Sequence, residues 1–565
     1  MTTRWGVLAL LALTACDSGE DPGPIAQYEV CPGVVAGALP GPAEATQSLS
    51  SGRVADGRQP YLVRYRDDVT VNAQQVTQLG GQVRRTYRTV PALAAMLTPE
   101  EREALAKDPD VERIEPDVRV HALGVPVPSG SPGEYTTSLR QTQASQVWDA
   151  NQDGQLDERA PTGTGVRVCI IDSGIDPNHP ELKQAYAGGW DFVDNDDKPW
   201  DYGEEGWGYG HGTHVAGIIA AQLSSGAAHV GPEMDRNGTV GVAPGAELLI
   251  ARVLDTEGRA WISNVLAAVE WCQGQNAKIA SLSLGGPNET ALEREAFAKA
   301  ARKMLVIAAA GNSGGALAYP AGYSSVLAVG AVDGTARRAF FSARGDNLSL
   351  MAPGVEVLST IVSDQGTVSQ VAMGEARLPS RSIFKAPPGT HSGKLVDCGD
   401  GSTLASCRQA TCEGFVAIVD FQHEELVPRQ IVNVMKQGAR AVIISGANHP
   451  GGLMDLSIGR AGAWVPSAQV THETGGKMRT VPGITMHVQL TQSDYAPFSG
   501  TSMAAPHVTG VAALLWSARP ELSAAQVRQL MESTAKDLGV DGRDRDYGFG
   551  LVQAKAAMLA LEALP

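Results

Sequence analysis

A chain of 565 residues is long enough for several domains and a large core. A hydrophobic share of 43% and a charged share of 19% are those of an ordinary globular protein, not a disordered or fibrous one. A net charge of -16 and a pI of about 5.2 argue against nucleic acid as a partner.

Arg4 is followed by a short apolar run, 5–13, which cannot span a bilayer and reads as a signal peptide over residues 1–15. Leu13-Thr14-Ala15-Cys16 resembles the bacterial lipobox, in which the cysteine is lipidated and becomes the new N-terminus. The competing reading is a plain secretory signal cleaved near Ala15. Residues 16–57 are rich in Gly, Pro, Ala and Ser and read as a flexible tether, with Cys31 inside it. Residues 58–122 predict a small unit with strands at 61–65, 83–90, 96–97 and 111–114 and helices at 72–79 and 99–107. Residues 123–134 form a Pro/Gly/Ser-rich linker.

A larger domain is expected at 135–364 and again at 494–565. Asp149, Asn151, Asp153 and Asp157, with Gly154 at the sixth place, have the oxygen spacing of a calcium loop. The twelfth place is Ala160, so Glu158 would have to substitute; otherwise the stretch is a solvated acidic turn. Strands are predicted at 166–171, 248–253, 280–284, 305–309 and 326–329, and helices at 215–223, 264–273, 292–303, 503–516 and 524–533. Ser263 reads as a helix cap, and Thr290 with Glu293, and Ser523 with Gln526, have capping-box spacing. Apolar strands alternating with helices predict an α/β fold, a parallel sheet covered on both faces. Asp191, Asp194 and Asp196 repel one another unless a cation or water separates them, or form a solvated acidic loop. Residues 365–493 interrupt this pattern with strands at 394–399, 415–420 and 438–444 and a helix at 431–437. Cys398, Cys407 and Cys412 allow one bridge and a leftover, while Cys169 and Cys272 read as buried core residues.

Three segments carry chemistry. Ser502 lies between a small-residue turn and the apolar run 508–516, at a helix start whose free amides favour a developing anion. Asp172 ends the apolar strand, and His211 opens another apolar helix. In an open parallel sheet, strand C-termini and helix N-termini meet on one edge, so the three side chains can converge. His211 and His214 are spaced i, i+3 with no glutamate between them, unlike the zinc motif H-E-x-x-H.

IIDSGID around Asp172, HGTHVAG around His211 and GTSMAAPHV around Ser502, in that order, strongly resemble the subtilisin-like serine proteases (subtilases). AAAGNSG is a fourth match and places Asn312 where the family keeps its oxyanion amide. The resemblance implies a subtilisin-like sheet, with residues 58–122 as a ferredoxin-like inhibitor prodomain whose tail, 116–123, plugs the cleft. It implies a protease-associated (PA) domain, β-rich, in the insert. It implies substrate-binding edges at 282–286 and 309–311, among them Leu284, Gly285, Ala310 and Gly311, with Gly258 on the opposite strand beside Arg259 and Ala260. Ala318 falls near the base of the primary pocket and leaves room for a large apolar side chain. The loop at Asp191, Asp194 and Asp196 is similar to a calcium loop of thermitase-like members. Glu181 and Asn237 match a second calcium site only in part.

The function implied is a secreted, lipid-anchored serine endopeptidase of broad specificity, made as a zymogen and with structural calcium. Its partners would be polypeptide substrates and its own prodomain, with a membrane reached only through the lipid on Cys16, and it would act as a monomer. Cutting between His121 and Arg140 would separate the anchor from the catalytic part. The competing class is a catalytically silent subtilase scaffold used as a surface binding protein; its mark would be a missing catalytic residue.

Overall fold

The computed structural model describes residues 58–66, 69, 71–86, 92–116, 134–201, 210–226, 238–256, 258–374, 376–403, 406–407, 414–423, 426–446, 453, 456–458, 463–481 and 483–564. Cys16, Cys31, the tail beyond Pro116, most of the linker, Asn237 and Cys412 lie outside them. The chain divides into two compact units, one at 35–126 and one made chiefly of 127–565.

The smaller unit runs β1 (Gln59–Tyr65), α1 (Ala73–Gln78), β2 (Gln82–Thr86), β3 (Ala92–Leu97), α2 (Pro99–Leu105) and β4 (Val111–Pro116). Its sheet has the order β2-β3-β1-β4 and is antiparallel throughout. Tyr61, Val63 and Tyr65, alternate residues of β1, share one core with Leu93, Ala95 and Leu97, which Val76 and Leu105 from the helices complete. Thr98 and Glu101 cap α2 reciprocally, satisfying two backbone donors that the helix itself leaves free.

In the larger unit, α3 (Thr137–Gln141) and α4 (Ser145–Trp148) precede β5 (Arg167–Asp172), β6 (Tyr186–Asp191), α5 (His211–Ala220), β7 (Glu247–Arg252) and α6 (Ile262–Gly274). Then come β8 (Ile279–Leu282), α7 (Ala291–Ala300), β9 (Leu305–Ala309), β10 (Leu327–Val332), β11 (Leu348–Pro353) and β12 (Val357–Thr360). Seven of these strands make one parallel sheet, in the order β11-β10-β9-β8-β5-β7-β6. Successive side chains of a strand point to opposite faces, so β5 feeds two cores. Val168 and Ile170 join a cluster with residues of α5, while Cys169 and Ile171 join one with residues of α6 and α7. After β5 the chain lays β6 and β7 on one side and β8 on the other. Asp172 therefore ends the strand at which the order reverses, where such sheets open a crevice.

The insert contributes β13 (Gly366–Met373), β14 (Ala376–Leu378), β15 (Ser380–Ser382), β16 (Gly389–Asp397), β17 (Phe415–Asp420), α8 (Val427–Lys436), β18 (Ala439–Ser445), β19 (Ser467–Val470), α9 (His472–Arg479) and β20 (Thr485–Ser493). These strands form an eight-stranded mixed sheet, β14-β13-β20-β16-β17-β18-β19-β15, around a separate apolar core. It curls back on itself: Ser380 of β15 meets Ser369 of β13 at 3.1 Å. The chain leaves and returns at one neck, where Gly366 opposes Ser493 and β12 pairs with β21 (Tyr495–Phe498). Three helices finish the chain: α10 (Thr501–Ala518), α11 (Ala524–Ser533) and α12 (Ala554–Glu562). Among the described residues no helix is long and apolar enough to cross a membrane.

The structure corrects several expectations. Cys169 and Cys272 are buried, as expected, but they are joined in a disulfide that ties β5 to α6. Cys398 bonds Cys407. Ser263 does not cap α6; the helix starts at Ile262, with Trp261 as the capping residue and no side-chain cap bond. Thr290 accepts the Glu293 N–H, but the Glu293 carboxylate goes to Tyr323 instead of completing a box. The strands β6, β11, β12, β13, β14, β15, β19, β20 and β21 were not expected. β6 carries two glycines and a half-buried face, so it lacks an apolar run.

Candidate active site

Strand β5 delivers Asp172 into the interior, where it is fully buried. Helix α5 begins at His211, and its imidazole Nδ1 lies 2.7 Å from Asp172 Oδ1. Two glycines make this approach close. A Cβ on Gly212 would lie 2.2 Å from the Gly174 carbonyl oxygen. Gly174 has φ +126°, and its own Cβ would lie 2.7 Å from the Asp201 nitrogen. The first turn of α5 thus rests directly on the backbone following Asp172.

Asp201, whose local sequence gives no sign of a role, braces this joint. One carboxylate oxygen accepts from the Ser173 hydroxyl at 3.1 Å and the Gly210 N–H at 3.1 Å. The other accepts from the Thr213 N–H at 3.0 Å and hydroxyl at 2.8 Å. Ser173 in turn accepts the Gly212 N–H at 2.8 Å. Burial pulls the His211 imidazolium down, and the Asp172 charge and hydrogen bond outweigh that pull, so its pKa lies above the ordinary 6.5. The side chain remains 24% exposed towards the cleft.

Ser502 stands in the first turn of α10. Its Oγ donates to the Ser283 carbonyl at 3.0 Å, and among the described residues no hydrogen bond joins it to His211. The Ser283 hydroxyl donates back to the Ser502 carbonyl at 2.7 Å. That carbonyl is free because Pro506, four residues on, has no N–H to offer it. Asn312 Oδ1 accepts from the Thr501 N–H and hydroxyl, both at 2.9 Å. This fixes the amide plane and leaves its NH₂ for the cleft. His211, Asn312, Thr501 and Ser502 all line one cleft of about 780 Å³.

Leu284, Gly285, Gly258, Gly311 and Ala318 line the same cleft. Ala310 does not. It is fully buried, its N–H goes to Val329 and its carbonyl accepts from Ala318, because alternate residues beyond β9 face the core. His214 is turned into the core. Its Nε2 reaches the carbonyls of Val357 and Ala496 at 3.0 Å each, its ring stacks on Phe498, and burial brings its pKa down to about 3.

The acidic loops differ. Among the described residues no group of His, Cys, Asp and Glu is poised as a metal cluster. Arg252, almost fully buried, donates to Asp191 at 2.5 Å and to Asp194 at 2.7 Å. Asp191 also accepts the N–H groups of Val193 and Asp194, and Asp196 accepts that of Lys198. Asp191 and Asp194 thus already have a cation, the guanidinium, and fit a metal poorly. Among the described residues no cation pairs with the acids of the loop at 149–157. Asp149, Asn151, Asp153 and Asp157 accept N–H groups of that loop around Gly154 at φ +85°, an all-oxygen set of the kind calcium takes. Glu181 is fully buried and bonded to Tyr495 and the Thr239 N–H.

A model of the subtilase family (peptidase S8) matches residues 163–382 and 450–550, and one of the peptidase inhibitor I9 matches 55–123. The chain is 36% identical over 296 residues to M-protease of Shouchella clausii (strain KSM-K16), covering 52% of this chain and 68% of that relative. It is 36% identical over 292 residues to subtilisin E of Bacillus subtilis (strain 168), covering 51% and 68%. Among solved structures it resembles the psychrophilic subtilisin-like protease Apa1 of the Antarctic psychrotroph Pseudoalteromonas sp. AS-11. The TM-score there is 0.53 at 29% identity, over 75% of this chain and 97% of that one.

Proposed function

The chain belongs to the subtilase family of serine proteases, with an inhibitor I9 segment before the protease domain, and from that premise we propose that it is a zymogen endopeptidase acting through Ser502. Ser502 Oγ turns from the Ser283 carbonyl and attacks the scissile carbonyl carbon. His211 takes the hydroxyl proton and later gives it to the leaving amine. Asp172 holds the imidazole tautomer and stabilises its charged form. The Asn312 amide and the Ser502 N–H, at the positive end of α10, stabilise the oxyanion. Water then releases the acyl group by the same route in reverse. The observation that carries this reading is the 2.7 Å Asp172–His211 bond at the sheet's reversal point, opening on the cleft that holds Ser502. All the residues the reaction needs are present, which disfavours the silent scaffold.

In this proposal the I9 segment restrains the protease until the chain is cut between His121 and Arg140. The chain is secreted and held by a lipid on Cys16, and the cut releases the catalytic part. The insert is a PA-like docking module. Calcium is structural, held by Asp149, Asn151, Asp153 and Asp157. The test is intact-mass analysis of wild type beside Ser502→Ala. Wild type should be cut in that window and take a fluorophosphonate on Ser502, with the alanine variant full length. If both stay uncut and unlabelled, the scaffold reading prevails. A mature enzyme still lipidated at Cys16 would overturn release.

A further inference from the structure

Helices α6 and α7 pack against each other, and their first turns place Ile262, Val265, Thr290 and Glu293 in the wall of the cleft that holds Ser502. Ile262, Val265 and Leu284 are apolar, as a cleft wall usually is. Among them stands the carboxylate of Glu293, 3% exposed, in a cleft that Arg259 lines as well. A carboxylate so buried ordinarily has a cationic partner. Asp172 has His211 and Asp191 has Arg252, whereas Asp201 and Glu181, away from the cleft, are held by hydroxyl and N–H groups. Among the described residues no ammonium, guanidinium or imidazole pairs with Glu293. Its carboxylate accepts one hydrogen bond, from the Tyr323 hydroxyl at 2.9 Å. The neighbouring Arg294 is committed to Glu289 at 2.6 Å and lies over the Tyr323 ring. Without a counter-charge, burial raises the Glu293 pKa, a cost that an arriving cation would reverse.

We propose that Glu293 is a specificity residue, the counter-charge for a lysine or arginine side chain of the bound polypeptide. The aliphatic stem of that side chain lies along Ile262, Val265 and Leu284, and its head reaches the carboxylate. This rests on the serine-protease reading above and narrows its substrate class: a cleft otherwise broad in choice selects a basic residue at one position.

The test is a set of fluorogenic peptides varied one position at a time, cleaved by the mature enzyme obtained from the full chain of wild type, Glu293→Gln and Glu293→Leu. Glu293→Gln keeps a partner for Tyr323 and removes the charge. Wild type should prefer Lys or Arg over Met at one position. Glu293→Gln should lower kcat/KM for that basic peptide on the order of 10–100-fold relative to its effect on the Met peptide, the worth of one desolvated charge-assisted hydrogen bond. Equal losses on basic and neutral peptides would make Glu293 a structural residue and overturn the proposal. So would a wild type that cleaves the set without a basic preference. A wild type that cleaves nothing and takes no label at Ser502 would instead overturn the reading beneath it.

Discussion

At the scale of single residues, the active-site network predicts distinct losses. Asp172→Asn keeps the shape but favours the wrong imidazole tautomer, so kcat should fall by about 10⁴. Asn312→Ala removes one oxyanion donor and should lower kcat by about 10²–10³ with KM little changed. The base must be neutral, and Asp172 holds the His211 pKa above 6.5, so activity should decline with acid along a limb above that value. A kcat/KM profile flat through that region would count against His211. The buried histidines set a different acid response. Desolvation brings His214 to about 3 and His507 to about 4, below their unfolded value of 6.5. Between those limits the unfolded chain binds protons that the folded one refuses. Stability from these two groups is therefore full above pH 6.5 and lost as pH falls towards 3. Thermal midpoints measured down that range should drop, and less steeply in His507→Gln.

At the scale of elements, the joint between β5 and α5 decides the geometry. Gly212→Ala would press a methyl group against the Gly174 carbonyl, 2.2 Å away, and push the helix off the strand. Activity should collapse while far-UV circular dichroism stays native. Full activity in that variant would mean the joint can slide. The Cys169–Cys272 disulfide closes a sequence separation of 103 residues between β5 and α6. Its removal as Cys169→Ser with Cys272→Ser should destabilise the protein by about 2–5 kcal/mol, measured by denaturant unfolding of the Ser502→Ala form. This bridge was hidden in the sequence because each cysteine sits in an ordinary apolar run; only the sheet brings them within 5.8 Å between Cα atoms. The Asp, His and Ser segments were legible because each needs a particular local shape: a strand tip, a glycine-flanked helix start, a small-residue turn. Asp201 and Arg252 were not, because their roles are set by partners that are remote in sequence, Thr213 and Asp191 among them.

At the scale of the whole molecule, the insert is tied to the catalytic part by more than its neck. Arg381 of β15, 5% exposed, pairs with Glu356 and donates to Ser499, three residues before Ser502. Arg381→Ala should therefore lower kcat as well as thermal stability, by leaving the turn before α10 less fixed. A loss of stability with kcat intact would confine the contact to docking. The alternation of strand and helix and the parallel sheet were already legible in the chain, since they follow from local periodicity and turn chemistry, and the ordered Asp, His and Ser motifs carried the resemblance to the family. It also marked off the insert as a change of pattern. Folding in three dimensions settled which acidic loop already holds its own cation, that Ser502 rests on Ser283, and that Glu293 in the cleft wall meets Tyr323 and, among the described residues, no cation. Those are pairings between distant segments, and the chain pattern of each segment is the same whichever partner it meets.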